Sequence, residues 1–468
     1  MSSTKKIFFC VLFLISLIFL RFYNLQISAR FIWDESSDLV RMYDIYQRPR
    51  LTLIGPISED GIKIFGSLSY YMTLPFVILF NFDPVSSAYA SAFFGVLTII
   101  LMMFLLKIKK LPLLAGAFLL LFSYPLLEAA RWAWNPHFIP FWQVLGLLAY
   151  LKGGGIFLFF SGLFFGLTTY NHYYAIFAAV GMALVVFLNG KKKFKELTFF
   201  GLGIISSLIP FLVFDLTNPP GLFLSRMLFF SPVSASNGGF QISSILHNLT
   251  QVPLQFTSYL SGGNKLVGII VLVLSITNVF LTIKKKKSKW LVVILVQLLA
   301  LSMIGGGIFN HYLLAIVIFY YLWLLSSFQK VFLSKIIIIL LIITNFFFIR
   351  EVLFKKDWST NIESTKKIVE IIEKEYRDDV GEFNLAVLGS PNPNTKGRRY
   401  RDLLRLKNVP VASTDNYSNI NKVFFISYLD WNELKNDSAY EINDFREKSP
   451  KKNWKIDNSE WKVYMLQK

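Results

Sequence analysis

The sequence predicts an α-helical polytopic membrane protein with a small α/β domain at its C-terminal end. Three observations support this fold class. Of the 468 residues, 54% are hydrophobic and only 16% are charged, a composition outside the range of ordinary soluble domains. The lysines form short clusters between apolar runs, as in "KIKK", "GKKKFK" and "IKKKKSK". From about Trp358 onward the composition becomes charged, as in a soluble domain.

Twelve apolar stretches in the sequence approach the ~20 residues needed to span a bilayer. If residues 66–82 crossed the membrane, the cluster Lys107 to Lys110 and every later lysine cluster would face outward, against the positive-inside rule. We therefore expect 66–82 to be an interfacial or re-entrant segment, and we predict eleven transmembrane helices. The predicted spans are residues 7–23, 88–106, 111–127, 138–151, 156–170, 172–188, 198–214, 265–283, 290–306, 309–325 and 334–350.

This topology predicts a multi-pass protein of the cell membrane with its N-terminus in the cytoplasm. Residues 1–350 form the predicted transmembrane domain, and residues 351–468 form an extracytoplasmic α/β domain. In the latter, "STNIESTKKIVEIIEKEY" and "GRRYRDLLRLK" have helical spacing, and Ser359 or Thr360 can cap the first helix. "FNLAVLG", "KVFFISY" and "WKVYMLQ" are typical of strands.

The first outer loop, residues 24–87, carries the acidic segment "RFIWDESSDLVRMYD" from Arg30 to Asp44. If Trp33 to Tyr46 is helical, Asp34, Asp38 and Arg41 share one face. The opposite side can then rest on lipid or protein through Leu39, Met42 and Tyr46. The loop returns the chain to the membrane without a crossing, which is typical of a loop that builds a site. A charged loop that is only solvated remains the alternative.

A second outer segment, "EAARWAWNPHFIPFW", supplies Arg131, Asn135 and His137 among tryptophans. Tryptophans alone would indicate an interfacial belt, but a guanidinium at the rim suits the phosphate of a membrane lipid. Carboxylates on one loop and the cations Arg131, Arg41 and Lys63 are suited to attack on a sugar carried by a lipid phosphate, because a base deprotonates the acceptor and cations stabilise the departing phosphate.

Two Asn-His-Tyr segments place His172 and His311 at predicted outer helix ends. In this topology the two rings could meet across the cavity and bind a metal or the donor. Two histidines without a nearby carboxylate are a weak metal signal. We therefore expect hydrogen-bonded helix ends and no cofactor.

These parts, in this order, resemble the polytopic GT-C glycosyltransferases, in particular prokaryotic members of the protein O-mannosyltransferase and aminoarabinose transferase branch. The matching parts are "RFYNL" at the end of the first span, "WDESSD" in the first outer loop, and "IFGSLSYYMTLP", where relatives carry a proline- and tyrosine-rich stretch. "RWAWNPHFIPF" looks like the R-x-x-WNP element of prokaryotic members. The resemblance covers about residues 7–190.

The resemblance implies that Asp34 is the catalytic base, with Glu35 as its neighbour, and that Asp38 orients the acceptor or an arginine. In aminoarabinose transferases a lysine before the proline-rich element contacts the lipid phosphate. Here Lys63 is displaced and both prolines are absent, which favours Arg131, with Arg41, for that role. The residues we assign to substrate binding besides Asp38 are Tyr70, Tyr71, Asn135, His137, His172 and His311.

The expected function is hexosyl or pentosyl transfer in the cell envelope, with inversion at the anomeric carbon. The donor is a polyprenyl-phosphate sugar, and the acceptor is a protein, lipid or glycan. Membrane lipids are the other expected partners, and the clustered lysines indicate topology instead of nucleic-acid binding. A lipid-linked oligosaccharide flippase or other transporter is the main alternative, although it predicts charges along a path through several spans. An O-antigen-ligase-like or polymerase-like enzyme and a membrane scaffold are further alternatives.

Overall fold

The structure, a computed structural model, describes residues 3–57, 64–219, 221–223, 242–284, 289–304, 307–354, 357, 359–389 and 397–468. The chain is helical for most of its length and has a four-stranded sheet near its C-terminal end. It divides into two compact units. The first unit comprises Met1–Tyr23, Thr52–Thr73 and Ala90–Val352, and the second comprises Asn24–Leu51, Leu74–Tyr89 and Leu353–Lys468.

The first helix, α1, contains the first predicted span. The elements up to residue 79 are α1 (Ser3–Phe22), α2 (Leu25–Ser28), α3 (Trp33–Gln47), β1 (Ile54–Ile57), β2 (Ile64–Gly66) and α4 (Leu68–Leu79). β1 and β2 pair as an antiparallel hairpin. α4 has 12 residues and contains Pro75, so it is shorter than the ~20 residues of a span. Predicted spans elsewhere in the chain also form helices of only 10–17 residues, so the expectation that 66–82 does not cross the membrane stays a prediction.

Apolar helices make up most of the remaining chain. They are α5 (Val85–Ile108), α6 (Leu113–Phe122), α7 (Tyr124–Ala129), α8 (Ile139–Lys152), α9 (Gly155–Asn171), α10 (Ile176–Asn189), α11 (Lys193–Thr217), α12 (Ile242–Leu260), α13 (Lys265–Lys284), α14 (Lys289–Ser302), α15 (Asn310–Ser327) and α16 (Phe332–Phe354). Ten of the eleven predicted spans fall on one of these helices or on α1, whereas the predicted span 111–127 is divided between α6 and α7, with a break at Ser123. By length and composition, five of the described helices are able to cross a membrane: α5, α11, α13, α15 and α16. The total of eleven crossings stays a prediction.

The core of the first unit is organised around α15. Of its most apolar 18-residue stretch, 78% is buried, compared with 22–44% for the other four long helices. α15 packs against α8, α12 and α14. α9 and α11 approach each other closely at glycines. A Cβ atom at Gly162 would collide with the Phe200 carbonyl, and one at Gly203 would collide with the Phe159 carbonyl. Small residues at such crossings allow helix backbones to touch.

The predicted C-terminal α/β domain is present. Its elements are α17 (Ile362–Asp378), β3 (Phe383–Val387), α18 (Arg398–Leu406), β4 (Lys422–Ser427), α19 (Trp431–Leu434), β5 (Lys452–Lys455) and β6 (Lys462–Gln467). The strand order is β3-β4-β6-β5, with β3 and β4 parallel and the other pairs antiparallel. The three predicted strands are β3, β4 and β6, and both predicted helices form. The edge strand β5 was not predicted.

The predicted cap of α17 was wrong. Asn361 is the capping residue, because its Oδ1 accepts a hydrogen bond from the Ser364 backbone N–H at 2.8 Å. The Ser359 hydroxyl instead donates to Asp357 at 2.5 Å. An asparagine side chain at this position satisfies one of the free N–H groups of the first turn.

Candidate functional site

The acidic segment forms α3, as its spacing predicts. Leu39 and Met42 are buried, whereas Asp34 and Asp38 are half-buried and Arg41 is exposed. Tyr46, which we expected to rest on lipid or protein, is 49% exposed, and its ring lies 5.6 Å from that of Phe82. The helix therefore presents Asp34, Asp38 and Arg41 on one accessible face.

The Glu35 side chain caps the N-terminal end of α3. It is 2% exposed, and its Oε2 accepts a hydrogen bond from the backbone N–H of Ile32 at 2.7 Å. A carboxylate in the first turn satisfies a free backbone donor and interacts favourably with the positive end of the helix dipole. This contact gives Glu35 a capping role and leaves Asp34 as the more accessible of the two predicted catalytic carboxylates.

Arg131 is buried and holds the end of α1. Its Nη1 donates to the carbonyl oxygens of Leu20 at 2.8 Å and Arg21 at 3.3 Å, and its Nη2 donates to that of Tyr23 at 2.7 Å. The residue is 3% exposed, and burial lowers the pKa of its guanidinium to about 10. The structure thus engages Arg131 with the last carbonyls of a helix, a common site for a cation. Phosphate binding by Arg131 stays a prediction, and Lys63 lies outside the described residues.

The predicted substrate-binding tyrosines, Tyr70 and Tyr71, lie in the first turn of α4, just after the hairpin. Tyr70 is 4% exposed. The Tyr71 hydroxyl accepts from the Thr52 backbone N–H at 2.7 Å, and the Tyr170 hydroxyl donates to the Leu53 carbonyl at 2.6 Å. These bonds fix the chain where it enters β1.

The turn after α7 is built by its own polar side chains. Asn135 Nδ2 donates to the Asn171 carbonyl at 2.6 Å, and His137 Nδ1 lies 2.6 Å from the Trp132 carbonyl oxygen. The rings of Trp132 and Trp134 stack with centroids 4.9 Å apart. Asn135 and His137 therefore organise this turn and the adjoining end of α9.

The two predicted histidines do meet. The ring centroids of His172 and His311 are 5.1 Å apart, Trp134 lies 4.3 Å from His311, and Phe65 lies 5.1 Å from His172. We call this group, with Tyr312, the aromatic cluster. Among the residues that the structure describes, no group of three or more His, Cys, Asp and Glu side chains is arranged to hold a metal ion.

Asn171 lies at the end of α9, next to the cluster, and was not among the predicted site residues. Its side chain is fully buried, yet neither Nδ2 nor Oδ1 has a hydrogen-bond partner within the described parts of the chain. Leaving a buried amide unsatisfied costs free energy. This amide is therefore suited to a polar ligand. The only sequence signal was its place in the repeated Asn-His-Tyr segment.

No protein-family model matches the chain, and no curated protein matches it in sequence. Two solved structures do match. ArnT from Cupriavidus metallidurans bound to undecaprenyl phosphate superposes with a TM-score of 0.62 at 11% identity, covering 99% of this chain and 98% of that one. The apo state of ArnT from the same organism gives 0.60 at 12% identity with the same coverage. The chain has the fold of these structures over its whole length, which confirms the GT-C-like fold.

Proposed function

We propose that this chain is a multi-pass membrane glycosyltransferase that takes its sugar from a polyprenyl-phosphate donor on the extracytoplasmic side. The observation that carries the proposal is the fold shared over 99% of the chain with an ArnT crystallised with undecaprenyl phosphate. The accessible acidic face of α3 supplies the second support, because such transfer requires a carboxylate to activate the acceptor.

In the proposed mechanism, the Asp34 carboxylate takes the proton from the acceptor hydroxyl or amine. The acceptor atom forms a bond to the anomeric carbon as the bond from that carbon to the phosphate oxygen breaks. The leaving polyprenyl phosphate keeps the electron pair, so that one displacement inverts the anomeric configuration. Asp38 lies one helical turn from Asp34 and orients the acceptor.

Arg41 is our preferred phosphate ligand within α3. It follows Asp38 by three residues and is exposed, so its guanidinium is accessible to a lipid headgroup. A guanidinium binds phosphate in a bidentate manner and stabilises the growing negative charge of the leaving group. The sequence also offers Lys63 and Arg131 as phosphate ligands, but this assignment does not require them, and the guanidinium of Arg131 already binds the carbonyl oxygens at the end of α1.

The aromatic cluster is our proposed carbohydrate-contacting surface. Binding sites for small molecules combine aromatic walls with a few fixed polar groups. Here the partly exposed rings of Trp134, His311 and Tyr312 supply the walls. The buried Asn171 amide supplies an unused donor and acceptor.

The proposal is tested by incubating the purified protein with a panel of polyprenyl-phosphate sugars and crude envelope extract as acceptor. Release of free polyprenyl phosphate with one donor identifies the sugar, and the anomeric configuration of the product tests inversion. No release with any donor, from protein with a cooperative thermal transition, would contradict glycosyl transfer and favour a transporter.

A further inference from the structure

The C-terminal domain and the acidic helix belong to one compact unit. The segment just before α3 pairs with the segment just before α17. Arg30 and Asn361 form an antiparallel bridge, and the Phe31 backbone N–H donates to the Thr360 carbonyl at 2.8 Å. Arg399, on α18, donates to the Ser359 carbonyl at 2.6 Å and to that of Phe31 at 3.2 Å. The start of α3 is therefore fixed by residues more than three hundred positions away in the chain.

α18 then contacts the body of α3. The Asp402 carboxylate lies 2.7 Å from the Ser36 hydroxyl and 3.2 Å from the Ser37 hydroxyl. Both serines also lie near the Trp33 carbonyl, at 3.1 Å for Ser36 and 2.6 Å for Ser37. Each hydroxyl has one proton, so the distances indicate that Ser36 donates to Asp402 and Ser37 donates to Trp33.

The environment of Asp402 makes this hydrogen bond important. Burial raises the pKa of the Asp402 carboxyl, whereas the hydroxyls of Ser36 and Ser37 and the charges of Arg398 and Arg405 lower it. Asp402 is partly buried, and a carboxylate with limited access to water depends on its hydrogen-bond donors, because water does not fully replace a donor that is removed. The link through Ser36 is therefore more than a surface contact.

The position of Ser36 on the helix determines what this link controls. At 3.6 residues per turn, Ser36 lies about 200° around the helix from Asp34, and Asp38 lies within about 40° of Asp34. Asp402 therefore holds the side of α3 opposite the acidic face. A hydrogen bond there restricts both rotation of the helix and sliding along its axis.

We propose that Asp402 is a positioning residue for the transfer reaction: through Ser36 it fixes the orientation of α3 and hence the location of the Asp34 carboxylate. The proposal rests on the function proposed above, with Asp34 as the base. It makes the C-terminal domain a structural part of the catalytic apparatus. A displacement of a reacting group by about 1 Å can cost a hundredfold in rate, so a modest movement of α3 has a large effect.

A second contact between the same helices provides a matched control. Arg405 and Asp44 form an ion pair at 2.9 Å with side chains that are 61% and 40% exposed. Exposed pairs contribute little because water and salt screen them. Asp44→Asn therefore removes an exposed link between α3 and α18 without disturbing the partly buried link from Asp402 to Ser36.

The test uses full-length protein and the variants Asp402→Ala, Asp402→Asn, Ser36→Ala and Asp44→Asn. Amide hydrogen exchange of α3 and turnover at saturating donor are measured for each. We expect Asp402→Ala and Ser36→Ala to speed exchange in α3, with β3 and β4 unchanged, and to lower turnover by about tenfold or more. Compared with Asp402→Ala, Asp402→Asn should keep most of the exchange protection of α3 and most of the turnover, because its amide oxygen accepts the same hydrogen bond. Asp44→Asn resembles wild type.

The double variant Ser36→Ala/Asp402→Ala should be no slower than either single variant, since both remove one interaction. Unchanged exchange of α3 in Asp402→Ala would overturn the proposal, as would faster exchange with wild-type turnover or a failure of Asp402→Asn to rescue. If Asp402→Ala does not fold, Ser36→Ala decides the same question. Wild-type protein without transfer activity would refute the proposed function, whereas the exchange data would still show whether Asp402 holds α3.

Discussion

The Arg131 guanidinium holds the carbonyl end of α1, where its Nη2 donates to the Tyr23 carbonyl oxygen at 2.7 Å. Two further bonds reach Leu20 and Arg21. A basic residue in an aromatic turn at the predicted membrane rim thus has a structural function. Arg41 on α3 is exposed instead. We therefore expect substitution of the two arginines to have opposite effects on stability and on lipid binding.

Arg131→Met should lower the free energy of unfolding by roughly 3 kcal/mol, because two buried carbonyls and one partly buried carbonyl lose their donor. The folded fraction should keep its affinity for undecaprenyl phosphate. Arg41→Met should show the reverse, with unchanged stability and affinity lowered about tenfold through the loss of one phosphate contact. Thermal unfolding and lipid binding measure both. A stable Arg131→Met with weakened lipid binding would return the phosphate role to Arg131.

Replacement of Asn171 should separate stability from substrate binding. Asn171→Leu removes an unsatisfied buried amide while keeping a similar shape, so we expect the free energy of unfolding to rise by about 1 kcal/mol. If the amide contacts the sugar, the donor KM should rise about tenfold. Asn135→Leu is the control, since it loses a bond to the Asn171 carbonyl and should destabilise the protein. A less stable Asn171→Leu with normal KM would contradict the assignment.

The C-terminal domain should lose stability in acid through Glu373. Partial burial raises the pKa of this carboxyl, but hydrogen bonds and charges from Lys407 and Arg377 outweigh burial and hold the pKa below its usual value. The group therefore stabilises the folded state above the unfolded pKa of about 4.3, and this contribution is lost as pH falls through the lower folded-state value.

Amide protection of β3 and β4, corrected for the intrinsic exchange rate at each pH, measures this effect. Glu373→Gln should weaken protection at neutral pH, and its difference from wild type should shrink as the solution is acidified below the usual carboxyl pKa. A difference that stays constant over this range would show that Glu373 contributes through packing alone.

Features with a local signal in the sequence were predictable. The helical spacing of "WDESSDLVRMYD" gave α3, and apolar runs gave β3, β4 and β6. β5 was not predicted, because its "KNWK" sequence forms a largely exposed edge strand. The segment therefore lacks the alternation of apolar and polar residues that indicates a strand. The cap of α17 was misplaced by one or two residues, because serine, threonine and asparagine are all good caps.

The roles of the polar site residues were harder to predict, because their partners are distant in sequence. Arg131 bonds to carbonyls 108–111 residues away, and Asp402 meets Ser36 across 366 residues. No periodicity connects such positions. The meeting of His172 and His311 was anticipated because topology places both at corresponding helix ends.

The central claim is that Asp34 on α3 is the base for transfer from a lipid phosphate. The most direct test measures polyprenyl phosphate release by wild type, Asp34→Asn and Glu35→Gln, with the donor that wild type uses. Glu35→Gln should keep most activity because its amide oxygen can still accept from Ile32. Asp34→Asn should retain its thermal stability and lose at least about a hundredfold in rate. Wild-type release by Asp34→Asn would contradict the account.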